Sequence, residues 1–113
     1  MPSWDDVRGL GLDLPGVEEE TSYGTPALKV AGKLLVRLKE DGETLALRVS
    51  FEERLALVHE QPAVFFVTPH YESYPMVLVR LPSVDQEELR ELIVEAWLER
   101  APRRLIAARE AGE

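Results

Sequence analysis

The period of the hydrophobic positions changes along the chain, and each change predicts an element. Near the N-terminus, apolar residues at helical spacing predict a first helix that Ser3 caps and Pro15-Gly16 ends. Two glycines, Gly9 and Gly11, weaken this helix because glycine is a poor helix former. The acidic run from Glu18 to Glu20 is interpreted as a solvated segment beside a loop, with a cation site as the alternative.

Alternating positions then predict three antiparallel strands, PALKV, KLLVRLKE and ETLALRVS, between residues 26 and 50. Asp41-Gly42 predicts a two-residue type I′ turn between the second and third strands. That turn places residues whose numbers sum to 83 opposite each other, so Val36 faces Leu47.

The connection between the first two strands is expected to be a three-residue loop, Ala31-Gly32-Lys33, with Gly32 at positive φ. This loop pairs Val30 with Leu34, which keeps apolar residues together on one face. The other face is then expected to be basic, and its members are Lys29, Leu35, Arg37, Lys39 and Arg48.

The second half of the chain predicts a helix that Ser50 and Glu53 open with a capping box and Gln61-Pro62 ends. Two strands follow, at 64–68 and 76–81. Both are apolar at nearly every position, so central or doubly covered places in the sheet are expected. Ser83 is expected to cap a third helix, and Pro102 to begin a fourth.

The element order α-β-β-β-α-β-β-α-α indicates one α+β domain, residues 1–113, with a mainly antiparallel sheet. The net charge is −8, yet residues 25–49 carry five bases and three acids, or +2. No run is apolar enough to span a bilayer, and the N-terminus does not resemble a signal peptide, so a cytoplasmic protein without membrane contact is expected. Self-repulsion of the acidic surface favours a monomer.

The sequence contains no complete catalytic motif. It has no cysteine, no glycine-rich phosphate loop and only two histidines, His59 and His70, which no metal-binding spacing connects. His70 lacks a nucleophile and an orienting partner at a recognisable spacing. We therefore expect no catalytic residues, no metal site and no cofactor.

The basic face is the first candidate for a binding surface. It predicts weak binding of DNA, mainly through the backbone phosphates. The alternative is that its charges only prevent edge-to-edge association of the sheet. The side chains expected to contact phosphates are Lys29, Lys33, Arg37, Lys39, Arg48 and Arg80.

A polar loop from Thr68 to Tyr74 is the second candidate. It lies between two apolar strands and begins with a Thr-Pro pair, as does the segment at Thr25-Pro26. The alternative prediction is a domain that binds a small ligand or a protein without catalysis. Its binding residues would be Tyr23, Thr25, Thr68, His70, Tyr71 and Tyr74.

The assembled motifs resemble the MmcQ/YjbR family of small bacterial proteins. The resemblance rests on LPGVEEETSYGTPALKVAGKLLVRL from Leu14, the DGE turn from Asp41, FFVTPHYESYPMVLVRL from Phe65, and APRRL from Ala101. It implies a two-layer frataxin-like (CyaY-like) α+β fold. It also implies DNA binding by paired hairpins similar to a double wing, and it implies no catalytic residues.

Overall fold

The computed structural model describes residues 1–112, in which four helices accompany a six-stranded antiparallel sheet. The helices are α1 (Trp4–Leu12), α2 (Phe51–Glu60), α3 (Gln86–Arg100) and α4 (Arg103–Ala111). The strands are β1 (Val17–Ser22), β2 (Thr25–Val30), β3 (Lys33–Leu38), β4 (Thr44–Arg48), β5 (Phe65–Phe66) and β6 (Met76–Arg80), in the spatial order β1-β2-β3-β4-β6-β5. The α+β class and the mainly antiparallel sheet are confirmed.

The predicted element order is wrong at one place, because the acidic run is a strand and not a loop segment. Glu18 to Glu20 lie in β1, which forms one edge of the sheet and pairs with β2. Only Val17 of this strand is buried. Glutamate is uncommon in strands, and the run shows no apolar alternation. The pattern therefore could not reveal β1, because this strand depends mainly on its pairing with β2.

The predicted three-residue loop between β2 and β3 is also wrong. Val30 pairs with Lys33 across the two-residue turn Ala31-Gly32, and both turn residues have positive φ. A register shift between Leu28 and Lys29 then restores apolar pairing farther along the hairpin.

The bulge exchanges the expected faces of two leucines. Leu35 is buried in the main core, whereas Leu34 packs on the opposite face of the sheet. The outer face, defined here as the face that carries Leu34, is therefore less basic than predicted.

The predicted register between β3 and β4 is confirmed, since Val36 pairs with Leu47 and Leu38 with Leu45. The predicted two-residue turn at Asp41-Gly42 is wrong. Lys39 and Thr44 close a longer loop, in which Gly42 alone has positive φ. Asp41 stabilises this loop by accepting hydrogen bonds from the backbone and hydroxyl of Thr44, at 2.9 and 2.7 Å.

The main core lies between the sheet and the helices. Its largest fully buried side chains are Trp97 of α3 and Phe65 of β5, and the Trp97 indole donates to the Pro15 carbonyl at 2.9 Å. Helix α3 begins at Gln86 and is capped by Asp85, not Ser83, which lies in a 3₁₀ turn at Leu81–Ser83.

The last two strands along the chain occupy different positions in the sheet. Strand β6 lies between β4 and β5, as its continuous apolar run predicted. The run at 64–68 yields only the two-residue edge strand β5, so of the two predicted places the central one is wrong. Phe65 packs in the main core and Phe66 against apolar residues of the outer face. Among residues 1–112, no helix has the length and apolar character that crossing a bilayer requires.

Candidate functional site

A second apolar cluster lies on the outer face of the sheet, at the candidate site. Ala46, Met76 and Leu78 are buried there, with Leu34 and Phe66 packed against them. Tyr71, from the loop between β5 and β6, joins the same cluster. The outer face is thus apolar at its centre, which corrects the expectation of a wholly basic surface.

Arg54 of α2 holds the loop between β5 and β6 in place. Its guanidinium donates hydrogen bonds to four backbone carbonyls, those of Tyr71, Glu72, Tyr74 and Met76, at 2.9 to 3.3 Å. A cation with five donors can satisfy several carbonyls of an irregular loop at once. The role of Arg54 could not be predicted from the sequence, because nothing in the helical pattern distinguishes it from a solvated arginine.

The turn between β1 and β2 carries Tyr23 in an unusual backbone conformation. Tyr23 has a φ of 54°, Gly24 a φ of 82°, and the Tyr23 residue is 88% exposed. A bulky residue in the left-handed region is an outlier that costs about 1–3 kcal/mol, and such residues cluster at functional sites. Thr25 supports the turn by donating its hydroxyl to the Ser22 carbonyl at 3.0 Å.

The Tyr23 turn and the loop between β5 and β6 form opposite walls of one cavity. The cavity has a volume of about 550 Å³, and three tyrosines and a histidine line it: Tyr23, His70, Tyr71 and Tyr74. We call it the tyrosine cleft. The His70 ring lies edge-on to Tyr71, with centroids 4.9 Å apart. Leu34, Ala46 and Met76 of the outer-face cluster supply apolar lining.

Arg37 reaches the cleft from β3 but is only 6% exposed. Its guanidinium donates to the Glu40 carboxylate at 2.7 Å, to the Ser22 carbonyl at 3.3 Å and to the Tyr71 hydroxyl at 3.4 Å. It also lies 5.3 Å from the centroid of the Tyr23 ring. Arg37 therefore contacts both walls of the cleft, the Tyr23 turn and the loop between β5 and β6, from its place on β3.

Lys39 is the second cation of the cleft. Its ammonium donates to the Tyr71 hydroxyl at 3.3 Å and lies 4.8 Å from the centroid of that ring. The Tyr71 oxygen thus accepts from both Lys39 and Arg37, and no described residue accepts the proton that the hydroxyl itself can donate.

Glu40 is the carboxylate at the rim. A hydrogen bond from its own backbone amide, followed by the charge of Arg37, lowers the pKa of Glu40 below its usual range. Glu40 is therefore ionised at neutral pH and offsets the charge of Arg37. Glu40 was not among the residues predicted from the sequence to take part in binding.

The two threonines predicted for the ligand site lie behind the cleft walls. Thr25 supports the Tyr23 turn, and the Thr68 carbonyl accepts the Tyr71 amide at 3.0 Å. Neither lines the cleft. The four aromatic members of that predicted set are brought together, and Arg37 and Lys39 from the other predicted set join them.

The remaining bases of the predicted DNA surface are dispersed. Lys29 lies 3.7 Å from the Glu20 carboxylate, and Lys33 is exposed at the start of β3 and does not line the cleft. Arg80 donates to the carbonyls of Pro62 and Ala63 and stacks on Phe66.

Arg48 lies at the end of β4, where it pairs with Met76. It lines a small cavity with residues of α3, among them Leu92 and Glu95. Burial and the nearby Arg48 charge lower the pKa of Arg100, the last residue of α3. The bulge in the neighbouring strand leaves Arg48 without the predicted partner Leu35 in the ladder.

No hydrogen bond joins His70 to a carboxylate or hydroxyl within the described part of the chain, and His59 is exposed on α2. Residues 1–112 contain no cluster of three or more histidine or acidic side chains arranged to hold a metal ion.

Comparison with known proteins shows what this chain is similar to. The model of the YjbR family matches residues 12–99. The uncharacterised protein Rv2570 of Mycobacterium tuberculosis and the uncharacterised protein Mb2600 of Mycobacterium bovis are each 36% identical to this chain, covering 96% of it and 95% of their own length. The crystal structure of Deinococcus radiodurans protein DR2400, of the domain family DUF419, superimposes with a TM-score of 0.74 at 25% identity. That match covers 87% of this chain and 78% of DR2400.

Proposed function

This chain belongs to the YjbR family, and from its tyrosine cleft we propose that it is a binding domain for a small organic ligand that carries a negative charge. The observation that carries the proposal is the meeting of three tyrosines, Arg37 and Lys39 around one cavity. The cavity volume of about 550 Å³ falls within the range of ligand sites in proteins.

The aromatic walls favour a planar ligand. Tyr23 is 88% and Tyr74 53% exposed, so both rings have apolar surface that a ligand would remove from water. The apolar lining from Leu34, Ala46 and Met76 adds contact area for a ring. Lys39 and Arg37 supply the charge complementarity.

Binding without catalysis is the form of activity that we propose, with no cofactor. His70 has ring neighbours and no hydrogen-bonded nucleophile among the described residues, which supports this view. The domain is proposed to act in the cytoplasm as a monomer. Its sheet edges support the latter, since β1 carries three glutamates and β5 has two residues. The relation to the frataxin-like fold stays a prediction.

DNA binding through the outer face is the second candidate, and the family resemblance is its main support. The distribution of the bases supports it less well. Arg37 is buried and paired, Lys29 is near Glu20, and Arg48 lies beside α3. A phosphate backbone requires several accessible cations along one surface.

The test is a titration of the uniformly ¹⁵N-labelled protein with 2-naphthoate, a planar aromatic acid, followed by amide chemical shifts. Saturable shifts confined to residues around the Tyr23 turn and the loop between β5 and β6 are expected. Shifts that spread evenly over the sheet and helices, or that do not saturate at millimolar ligand, would contradict the proposal.

The DNA alternative is tested in parallel with a fluorescent duplex over a salt series. Binding whose affinity falls steeply with salt, and whose salt slope becomes smaller in the Lys33→Gln and Lys39→Gln variants, would favour DNA. Our proposal expects no measurable duplex binding at physiological salt.

A further inference from the structure

The charges of the tyrosine cleft limit the charge of its ligand. Arg37 donates to Glu40 at 2.7 Å, so these two charges offset each other. Lys39 forms no ion pair with a carboxylate among the described residues, and its ammonium donates to the Tyr71 hydroxyl. The cleft therefore has an excess of one positive charge.

The donors at the end of the cleft are also few. A ligand oxygen beside Tyr71 would meet the Lys39 ammonium and the unused proton of the Tyr71 hydroxyl. Three of the five Arg37 donors are already directed at Glu40, Ser22 and Tyr71, and the side chain is buried, which limits access to the other two. Two donors suit the two oxygens of one carboxylate, whereas a phosphate dianion requires more donors and a second positive charge.

From this balance we infer that the ligand is an aromatic monocarboxylate, held by Lys39 and Tyr71, and that Glu40 excludes dianions from the cleft. The inference rests on the proposed function and adds the ligand class and a specificity-determining residue to it. Glu40 limits the charge of the ligand in two ways. It pairs with Arg37, and it repels a second negative charge on the ligand.

The experiment measures dissociation constants by calorimetry at pH 8 for three ligands of equal ring size. They are 2-naphthoate with one negative charge, 2-naphthamide with none, and 2-naphthyl phosphate with two, since the second phosphate pKa is about 6. In the natural protein, 2-naphthoate is expected to bind about tenfold more tightly than either other ligand, as the loss of a charge-assisted hydrogen bond predicts.

The Glu40→Gln variant is expected to bind 2-naphthyl phosphate about tenfold more tightly than the natural protein does, because Arg37 becomes available and a repulsion is removed. Glu43→Gln is the matched control. It removes an equal charge from the same connecting loop, at an exposed residue that does not line the cleft, and is expected to leave all three affinities unchanged.

Each contrary outcome identifies what has failed. If 2-naphthamide binds as tightly as 2-naphthoate, or if Glu40→Gln leaves the phosphate affinity unchanged, the charge assignment is overturned while the proposed ligand site stands. If 2-naphthyl phosphate is the tightest ligand of the natural protein, the role of Glu40 is overturned. If none of the three ligands binds, the proposed function fails with the inference.

Discussion

Arg37 shows how far a single side chain can depart from its sequence pattern. Its place among alternating bases predicted an exposed cation on the outer face. The structure instead buries it under the Tyr23 turn, where Glu40, Ser22 and Tyr71 satisfy its donors. Burial of an arginine is tolerated only with such partners. Its partners come from three separate segments of the chain, and for this reason the pattern of one strand could not reveal them.

Tyr23 is a bulky residue in a backbone conformation with positive φ, which glycine and asparagine adopt more readily. Replacing it with asparagine, which tolerates positive φ, is expected to raise the free energy of unfolding by about 0.5–1 kcal/mol. The same change removes an aromatic wall and is expected to weaken 2-naphthoate binding. Urea unfolding and calorimetry measure the two effects.

The chain provides a matched control for this substitution at the next hairpin. Ala31 occupies the same position in an equivalent turn, with a φ of 51° and a glycine after it. Ala31→Asn is expected to give a similar gain in stability without any change in ligand affinity. Equal loss of affinity in both variants would show that Tyr23 does not contact the ligand.

Replacing Arg54 is expected to disturb the site indirectly, through the loop between β5 and β6, and not through a lost contact with the ligand. Arg54→Ala removes hydrogen bonds to four carbonyls of one loop and is expected to lower the free energy of unfolding by about 2 kcal/mol. It should also broaden the NMR signals of residues 69–75. Arg90→Ala removes an exposed arginine paired with Glu87 and is expected to cost about 0.5 kcal/mol or less. Equal losses in both variants would contradict the role of Arg54.

At the scale of elements, the sequence predicted the helices and the central strands because their apolar periods are strong. The register of β3 and β4 followed from the same alternation. Three features could not be predicted from the pattern: β1 shows no apolar alternation, the bulge interrupts the alternation of the β2–β3 hairpin, and the apolar run at 64–68 does not reveal that only two of its residues pair. For the site, the four aromatic residues were predicted, while Arg54 and Glu40 depend on contacts that only the fold creates.

The packing of α1 on the sheet provides a test at this scale. A Cβ added at Gly11 would clash with a Leu28 methyl, whereas one at Gly9 meets nothing within 4 Å. Gly11→Ala is therefore expected to destabilise the protein by about 1–2 kcal/mol despite its higher helix propensity. Gly9→Ala is expected to stabilise it by up to about 1 kcal/mol. Thermal unfolding of the pair would contradict this packing if both variants gained stability.

For the whole molecule, the sheet brings together segments that lie far apart in the sequence. Tyr23, Arg37 and Tyr71 come from three different parts of the chain and meet at one cleft on the outer face. Helix α3 packs against the other side of β3 and β4, so it leaves the cleft open to solvent. The net charge of the whole chain is −8, so the cationic cleft is a distinct feature of the surface.

The most direct measurement follows the methyl groups of the two methionines, Met1 and Met76, during a titration with 2-naphthoate. Met76 lines the cleft, and Met1 is 95% exposed and serves as the internal control. The protein, labelled with ¹³C at the methionine methyls, should show a saturable ring-current shift of Met76 alone, weakened in Lys39→Gln and retained in Lys33→Gln. If Met76 does not move, or if both methyls move together, the tyrosine cleft is not the ligand site.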